Sequence, residues 1–388
     1  MAQCTQVRPD LDFVREIRDA GGESLKKCYQ CATCAVACPL SPANNPYPRK
    51  EMVWASWGLK DKLMNDVDLW LCHNCGNCAD LCPRGARPAD LMAAARNMVY
   101  KDLTSPSIIG GWMSSIKGLP FLVAIPALIW LCVWAARAGV KGSWFPRAAD
   151  GRIVFGEIFY GDYTIDPIFI LTFFGSLYIL YRGTRKLLER FKPEGGILML
   201  GSVKPVYRHV WDVLTEEILT HKKFQDCNTG KSDRKLGHMA VFYSFAILAV
   251  VTGIVAGGHW GAVLIHPALD VPTPMPLTFP VKIMANIGAV GLLFGLAALT
   301  LRRLKLDPKF QASSFYDWYL LGVIWVVALT GLLAQIFRLM DCVTWAFSVY
   351  YLHLVAVWML FAYLPWSKLG HFVYRVAALT YVRAIGRR

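Results

Sequence analysis

Two runs of cysteine carry the densest chemistry in this sequence. The first is Cys28, Cys31, Cys34 and Cys38 followed by Pro39; the second is Cys72, Cys75, Cys78 and Cys82 followed by Pro83. Both read C-x2-C-x2-C-x3-C-P. Thiolates are soft ligands, and three of them spaced this way can wrap three corners of a [4Fe-4S] cube without strain. Small residues between them let backbone amides reach the sulfurs and tune the potential. Zinc would use paired C-x2-C knuckles and leave the remaining cysteines and the prolines without a role. Disulfides would gain nothing from two identical runs, and the orientation argued below places this stretch in a reducing compartment. One-electron chemistry at two cubes is therefore expected.

The spacing resembles that of bacterial two-cluster ferredoxins, in which the fourth cysteine of each run reaches the other cube. That resemblance implies one ligand set of Cys28, Cys31, Cys34 and Cys82, and a second of Cys72, Cys75, Cys78 and Cys38. Cys4, Cys132, Cys227 and Cys342 have no partner at motif spacing and read as small core residues.

Histidines form the second group of interest. His238 and His259 bracket one apolar segment, and His353 and His371 lie 18 residues apart along another; the first pair is 21 residues apart. Along ideal helices these separations are about 32 and 27 Å. If the two segments run in opposite directions, His238 meets His371 at one face and His259 meets His353 at the other. Two bis-histidine b haems, one per leaflet, would fit. An imidazole within a bilayer is costly unless it has a partner, and His353 lies deep in Tyr350-Tyr351-Leu352-His353-Leu354-Val355. His259 could instead line a quinone pocket, with His266 as a rival ligand. His209 and His221 read as surface residues.

The elements that must hold these groups follow from composition. Of 388 residues, 55% are hydrophobic, well above a soluble average. Six apolar segments can span about 30 Å of hydrocarbon: 119–137, 166–182, 237–258, 280–300, 317–337 and 344–366. No cleavable leader is expected, since the first long apolar run begins beyond residue 115. The loops 183–236, 301–316 and 367–388 carry 11, 4 and 5 Lys plus Arg, against 3, 0 and 0 in 138–165, 259–279 and 339–343. The 20 to 3 asymmetry places both termini in the cytosol of a cytoplasmic membrane protein. It also accounts for the net charge of +14, so nucleic acid is not an expected partner. Before the spans, residues 1–27 form an amphipathic segment with Leu11, Val14, Ile17 and Leu25 near helical spacing. Helices are expected from Pro48 to Gly58 and from Ala89 to Tyr100. The chain thus divides into an α-helical ferredoxin domain (1–104), a linker (105–118) and a six-helix membrane domain (119–388), an all-α fold. Within the long cytosolic loop 183–236, Pro205 to Phe224 reads as an interfacial amphipathic helix or a docking surface, with Val206, Val210, Val213, Leu214, Ile218 and Leu219 on one face.

The stretch Leu352-His353-Leu354 with Leu364-Pro365-Trp366-Ser367-Lys368-Leu369-Gly370-His371 resembles the last helix of the nitrate reductase gamma family. Its haem-ligating histidines have the same separation, and those on the partner helix lie closer together than His238 and His259. The twin cysteine runs resemble the iron–sulfur C component of heterodisulfide reductase, and the membrane part its cytochrome component. Their fusion in one chain resembles the C component of the quinone-interacting membrane-bound oxidoreductase complexes of sulfate reducers. That resemblance implies two soluble flavin and iron–sulfur partners related to the flavoprotein component of heterodisulfide reductase, with electrons passing from menaquinol towards adenylylsulfate reductase.

The expected activity is menaquinol oxidation within the bilayer, with transfer through two b haems and both cubes. A quinone site needs an apolar slot with a few polar groups, and His259, His266, Lys282, Arg338 and Asp341 are the outer-face candidates. The same relay run towards quinone reduction, or a membrane anchor for a heterodisulfide-reductase-like complex, are the alternatives.

Overall fold

Asp10 starts the first helix, α1 (Leu11–Ile17), by accepting a hydrogen bond from the Phe13 amide at 2.8 Å. This cap fixes the register. Phe13 and Ile17, four residues apart, turn into the core, while Leu11 is left 67% exposed. The computed structural model describes residues 8–191, 205–221, 235–305 and 313–387, and among them every regular element is helical. Cys4, Cys227 and residues 222–224 of the anticipated amphipathic helix lie outside the described residues.

In the N-terminal part, α2 (Arg49–Ser56) buries Met52 and Ala55 and stops just before Gly58. The φ of +66° at Gly58 suits a helix end, and a Cβ there would meet the Asp10 carbonyl oxygen at 2.6 Å. The long helix α3 (Pro88–Leu103) opens on a proline and buries Leu91, Met92, Ala95, Val99 and Tyr100 against the other segments.

Beneath the cluster loops, Lys50 Nζ lies 3.0, 2.5 and 2.8 Å from carboxylate oxygens of Glu51, Asp66 and Asp68, and Arg387 reaches Asp68 at 2.7 Å. Burial holds the fully enclosed Glu51 well above the usual carboxylate range. Its stabilising contribution is therefore present below the unfolded value of about 4.3 and lost as pH rises through the elevated folded value. Glu51→Gln should flatten that decline and gain on the order of 1 kcal/mol near pH 8 relative to pH 5. Thermal unfolding of the purified chain at the two pH values measures it; an unchanged slope would contradict the assignment.

The membrane part begins with α4 (Leu119–Lys141), followed by α5 (Asp166–Arg190), α6 (Lys235–Leu264), α7 (Pro280–Lys305), α8 (Phe315–Leu339) and α9 (Val343–Ala362). These six helices are long and apolar enough to cross a membrane. The spans match the sequence expectation, but their ends shift by several residues, with α4, α6 and α7 running on to Lys141, Leu264 and Lys305. The second span continues without a break to Arg190, and the last ends at Ala362, because Pro365 cannot continue the helix and a short turn over Leu364–Trp366 takes its place.

Helix α9 packs on α4, α5 and α8, α7 packs on α8, and α6 packs along α7. The Trp260 indole donates to Asp166 Oδ2 at 2.9 Å, joining α6 back to α5. The result is a ring in which α6 and α9 share no extensive interface. At the end of the ring nearer the cluster region, Asp317 accepts from Arg303 at 3.0 Å and Lys368 at 2.5 Å, tying α7 and α8 to the segment after α9. The linker is itself built into the fold, with a helix over Ser107–Trp112 and the Trp366 indole donating to Pro106 O at 3.1 Å.

The last helix, α10 (His371–Ala384), joins the two regions. Tyr374 meets Trp70 and Tyr100 at ring-centroid distances of 5.5 and 5.8 Å, in one core with Leu180 and Leu187 of α5. Gly183 of α5 allows this approach, since a Cβ there would lie 2.5 Å from Tyr374 Oη. The segment Val206–Leu219 is helical and packs on α10. Its buried stripe is His209, Val213 and Glu217, whereas Val206 and Leu219 are exposed. Arg383 explains the rotation: it pairs with Glu216 and Glu217 at 2.9 and 3.1 Å and draws Glu217 inward.

Candidate iron–sulfur and histidine sites

The two cysteine loops fold alike. Gln30 and Ala32 after Cys28, and Asn74 and Gly76 after Cys72, adopt positive φ of 59°, 69°, 51° and 91°. These turns point amides inward, so that Gln30 N–H donates to Cys28 Sγ at 3.4 Å and Asn74 N–H to Cys72 Sγ at 3.3 Å. Ala86 N–H does the same for Cys82 at 3.3 Å. None of the eight thiols is in a disulfide.

The thiols lie near one another across both runs, and Cys34 also comes within electrostatic reach of Cys78. Cys34 is within electrostatic reach of Cys28, Cys31 and Cys82, and Cys38 of Cys72 and Cys75. Cys38, Cys72, Cys75 and Cys78 line one small pocket, together with Leu40, Tyr47, Pro48, His73, Asn77 and Ala89. Burial pushes the Cys34 thiol up to about 12 and Cys38 to about 11, and raises Cys78 and Cys72 as well. A bound metal would displace the protons of these thiols.

The donor set bears on which metal centre these loops would hold. A tetrahedral zinc with bonds of about 2.3 Å draws its sulfurs to within roughly 4 Å of one another. Among the described residues no three cysteine sulfurs lie within 4.8 Å of one another. Eight soft thiol donors with amide N–H groups directed at their sulfurs suit cubes with one thiolate per corner.

Polar groups behind the ligands converge on the Cys72 loop. Arg96 donates to the Cys72 carbonyl at 2.9 Å, while Arg375 donates to the Cys72 and Leu71 carbonyls at 3.3 Å each and to His73 Nε2 at 2.7 Å. Burial and the neighbouring Arg96 lower the Arg375 pKa to about 10, and it remains a cation at neutral pH.

The four candidate haem histidines share one feature: each has its Nδ1 engaged. His353 Nδ1 meets Val327 O and Thr330 Oγ1 at 3.1 Å each, His259 Nδ1 meets Asp270 at 2.9 Å, His238 Nδ1 meets His221 Nε2 at 3.0 Å, and His371 Nδ1 meets Lys368 O. An Nδ1–H donor leaves the Nε2 lone pair for a metal, the usual arrangement of a ligating imidazole. Gly331 gives the His353 ring its room, because a Cβ there would lie 3.1 Å from Cε1. His221, expected at the surface, is 3% exposed and leans on His238; His209 is buried too.

The quinone-site candidates are engaged separately. His266 caps its own turn by accepting from Ala268 N–H at 3.1 Å, and Asp341 is paired with Arg147 at 2.6 Å. Lys282 and Arg338 lie within electrostatic reach of one another.

Sequence reasoning missed Arg375, Arg96, Thr330 and Gly331. A signal did exist for one of them, since Arg375 stands one helical turn after His371.

Residues 24–86, which include all eight cysteines, match the family described as 4Fe-4S dicluster domain. The C component of the H(2):CoB-CoM heterodisulfide, ferredoxin reductase of Methanothermobacter marburgensis is 40% identical over 93 residues, 24% of this chain and 50% of that protein. A protein of Archaeoglobus profundus described as like the C component of heterodisulfide reductase is 30% identical over 125 residues, 32% of this chain and 63% of that protein. Citrate utilization protein B of Escherichia coli is 26% identical over 332 residues, 80% of this chain and 79% of that protein. A match of that extent takes in residues from both the cysteine-rich region and the spans. The chain spans about half the length of the first of these relatives. No solved structure matches the chain. Fold and site thus define a class, a six-span helical membrane protein with an N-terminal [4Fe-4S] dicluster region. Its homologues at that end are the C components of heterodisulfide reductases, parts of oxidoreductase complexes.

Proposed function

We propose that this chain is the membrane component of a quinone-interacting oxidoreductase, one that oxidises menaquinol and delivers electrons to soluble partners. The chain divides into a dicluster domain (1–104), a linker (105–118) and a membrane domain (119–388). When bound, two cubes and two b haems supply one-electron transfer, and the protein supplies their positions and potentials. Cys28, Cys31, Cys34 and Cys82 hold one cube, and Cys72, Cys75, Cys78 and Cys38 the other. His238 and His371 hold the haem nearer the cytosol, and His353 with His259 the outer one. Menaquinol binds at the outer face, where His259, His266, Lys282, Arg338 and Asp341 offer polar groups. The excess of Lys and Arg in one set of loops supports cytosolic termini in the cytoplasmic membrane. The soluble partners are two flavin and iron–sulfur proteins, with adenylylsulfate reductase downstream, as in the quinone-interacting complexes of sulfate reducers.

The observation that carries this reading is the packing of the cluster region onto α10, the helix that opens with His371. Visible and pyridine haemochrome spectra of the purified chain test it: b-type bands at two haems per chain are expected. Their absence would sink the relay in favour of an anchor for a heterodisulfide-reductase-like complex. The alternative is the same relay run the other way, in which electrons enter at the clusters and leave to quinone. Anaerobic mixing of the oxidised chain with a menaquinol analogue distinguishes the two, since fast haem reduction is expected only for the first direction.

A further inference from the structure

The two cysteine sets differ in what surrounds them. Between Cys72 and Asp80 no residue is exposed, and the loop is held from behind by Arg96 of α3 and Arg375 of α10. Around the other set, Tyr29 and Cys31 are exposed, and Val36 and Leu81 are 88% and 58% exposed. Leu71 and Cys72 thus receive hydrogen bonds directly from the membrane part of the fold. Residues 28–37 receive none from it among the described residues.

The contact at Arg375 is directional. A guanidinium only donates, so His73 Nε2 must accept and the ring keeps its proton on Nδ1. His73 also lines the cavity of Cys38, Cys72, Cys75 and Cys78, so the Arg375 charge acts on that cavity through the loop carbonyls and through the imidazole. His371 and Arg375 stand one turn apart on α10 and share a helix face.

We propose that the cube held by Cys38, Cys72, Cys75 and Cys78 is the inner one, coupled to the membrane part through α10 by Arg375, and that the cube held by Cys28, Cys31, Cys34 and Cys82 is the outer one, exchanging electrons with the partner. This order rests on the relay proposed above. Electron transfer weakens steeply with distance, and the inner position belongs to the set whose loop touches the helix carrying His371. Arg375 is a positioning residue: it fixes the Cys72 loop, and its charge favours the more negative, reduced cube.

Redox titration of the full chain, followed by EPR, tests this. Cys31→Ser and Cys75→Ser first assign the two cluster signals, because each alters one ligand set. Arg375→Leu should then lower the midpoint potential of the Cys75-assigned cluster and leave the other in place. Arg375→Lys should restore most of the potential, since the charge returns without the planar fork. A shift of the Cys31-assigned cluster, an equal shift of both, or no shift would overturn the order. Should Arg375→Leu fail to fold, the unsubstituted chain gives the second measurement: ferricyanide should bleach the Cys31-assigned cluster first, and the reverse order would refute the proposal. The potential shift without b-haem bands would sink the relay and keep the cluster order; haem bands without the shift would do the opposite.

Discussion

His353→Ala is expected to remove one of the two haems, halving the pyridine haemochrome absorbance per chain, and to abolish menaquinol oxidation while both cubes remain. The expectation comes from the surroundings of the ring. Val327 O and Thr330 Oγ1 fix Nδ1 from α8, and Gly331 leaves the space the imidazole occupies. With Nδ1 engaged in this way, Nε2 is the nitrogen left for a metal. Gly331→Val supplies an independent variant, because the added side chain displaces the ring without removing it, and it should lose the same haem. Full haem content in both variants would refute the ligand assignment, and unchanged EPR signals of the cubes would exclude general misfolding as the cause of a loss.

The parts of the fold that could be read from the sequence were those set by local pattern. Two C-x2-C-x2-C-x3-C-P runs specify two similar loops because the ligand spacing is a property of a few consecutive residues. Six spans follow from uninterrupted apolar length, and only their ends moved, most of all at Arg190. Contacts between distant residues had no such signature. Arg375 meets His73 across 302 positions, and neither residue's neighbours announce the other. The segment after Pro205 shows the same limit. Its apolar pattern predicted one buried face, but the Arg383 ion pairs rotate a different stripe, with His209 and Glu217, into the interior. His221 likewise reads as a loop histidine until the fold sets it on His238.

Those long-range contacts are also what turns a cysteine motif into a device with a direction, and Cys38 is where the claim is most exposed. Cys38→Ser should lose or convert the cube whose other three ligands lie more than thirty residues away at Cys72, Cys75 and Cys78, while the cube of its own run persists. Non-haem iron should fall from about eight to about four per chain if that cube is lost entirely. The cavity carries this expectation, since Cys38 lines it with the three cysteines of the other run and none of its own. The half-buried Cys38 thiol, pushed up to about 11, gives up its proton on binding iron; a serine hydroxyl does so far less readily. If the loop instead closed on itself, with Cys28, Cys31, Cys34 and Cys38 around one cube, the same substitution would remove the exposed cluster and leave the one beside Arg375. EPR of Cys38→Ser compared with Cys31→Ser and Cys75→Ser separates the outcomes. A spectrum that follows Cys31→Ser would end the crossed assignment, and with it the inner and outer order built upon it.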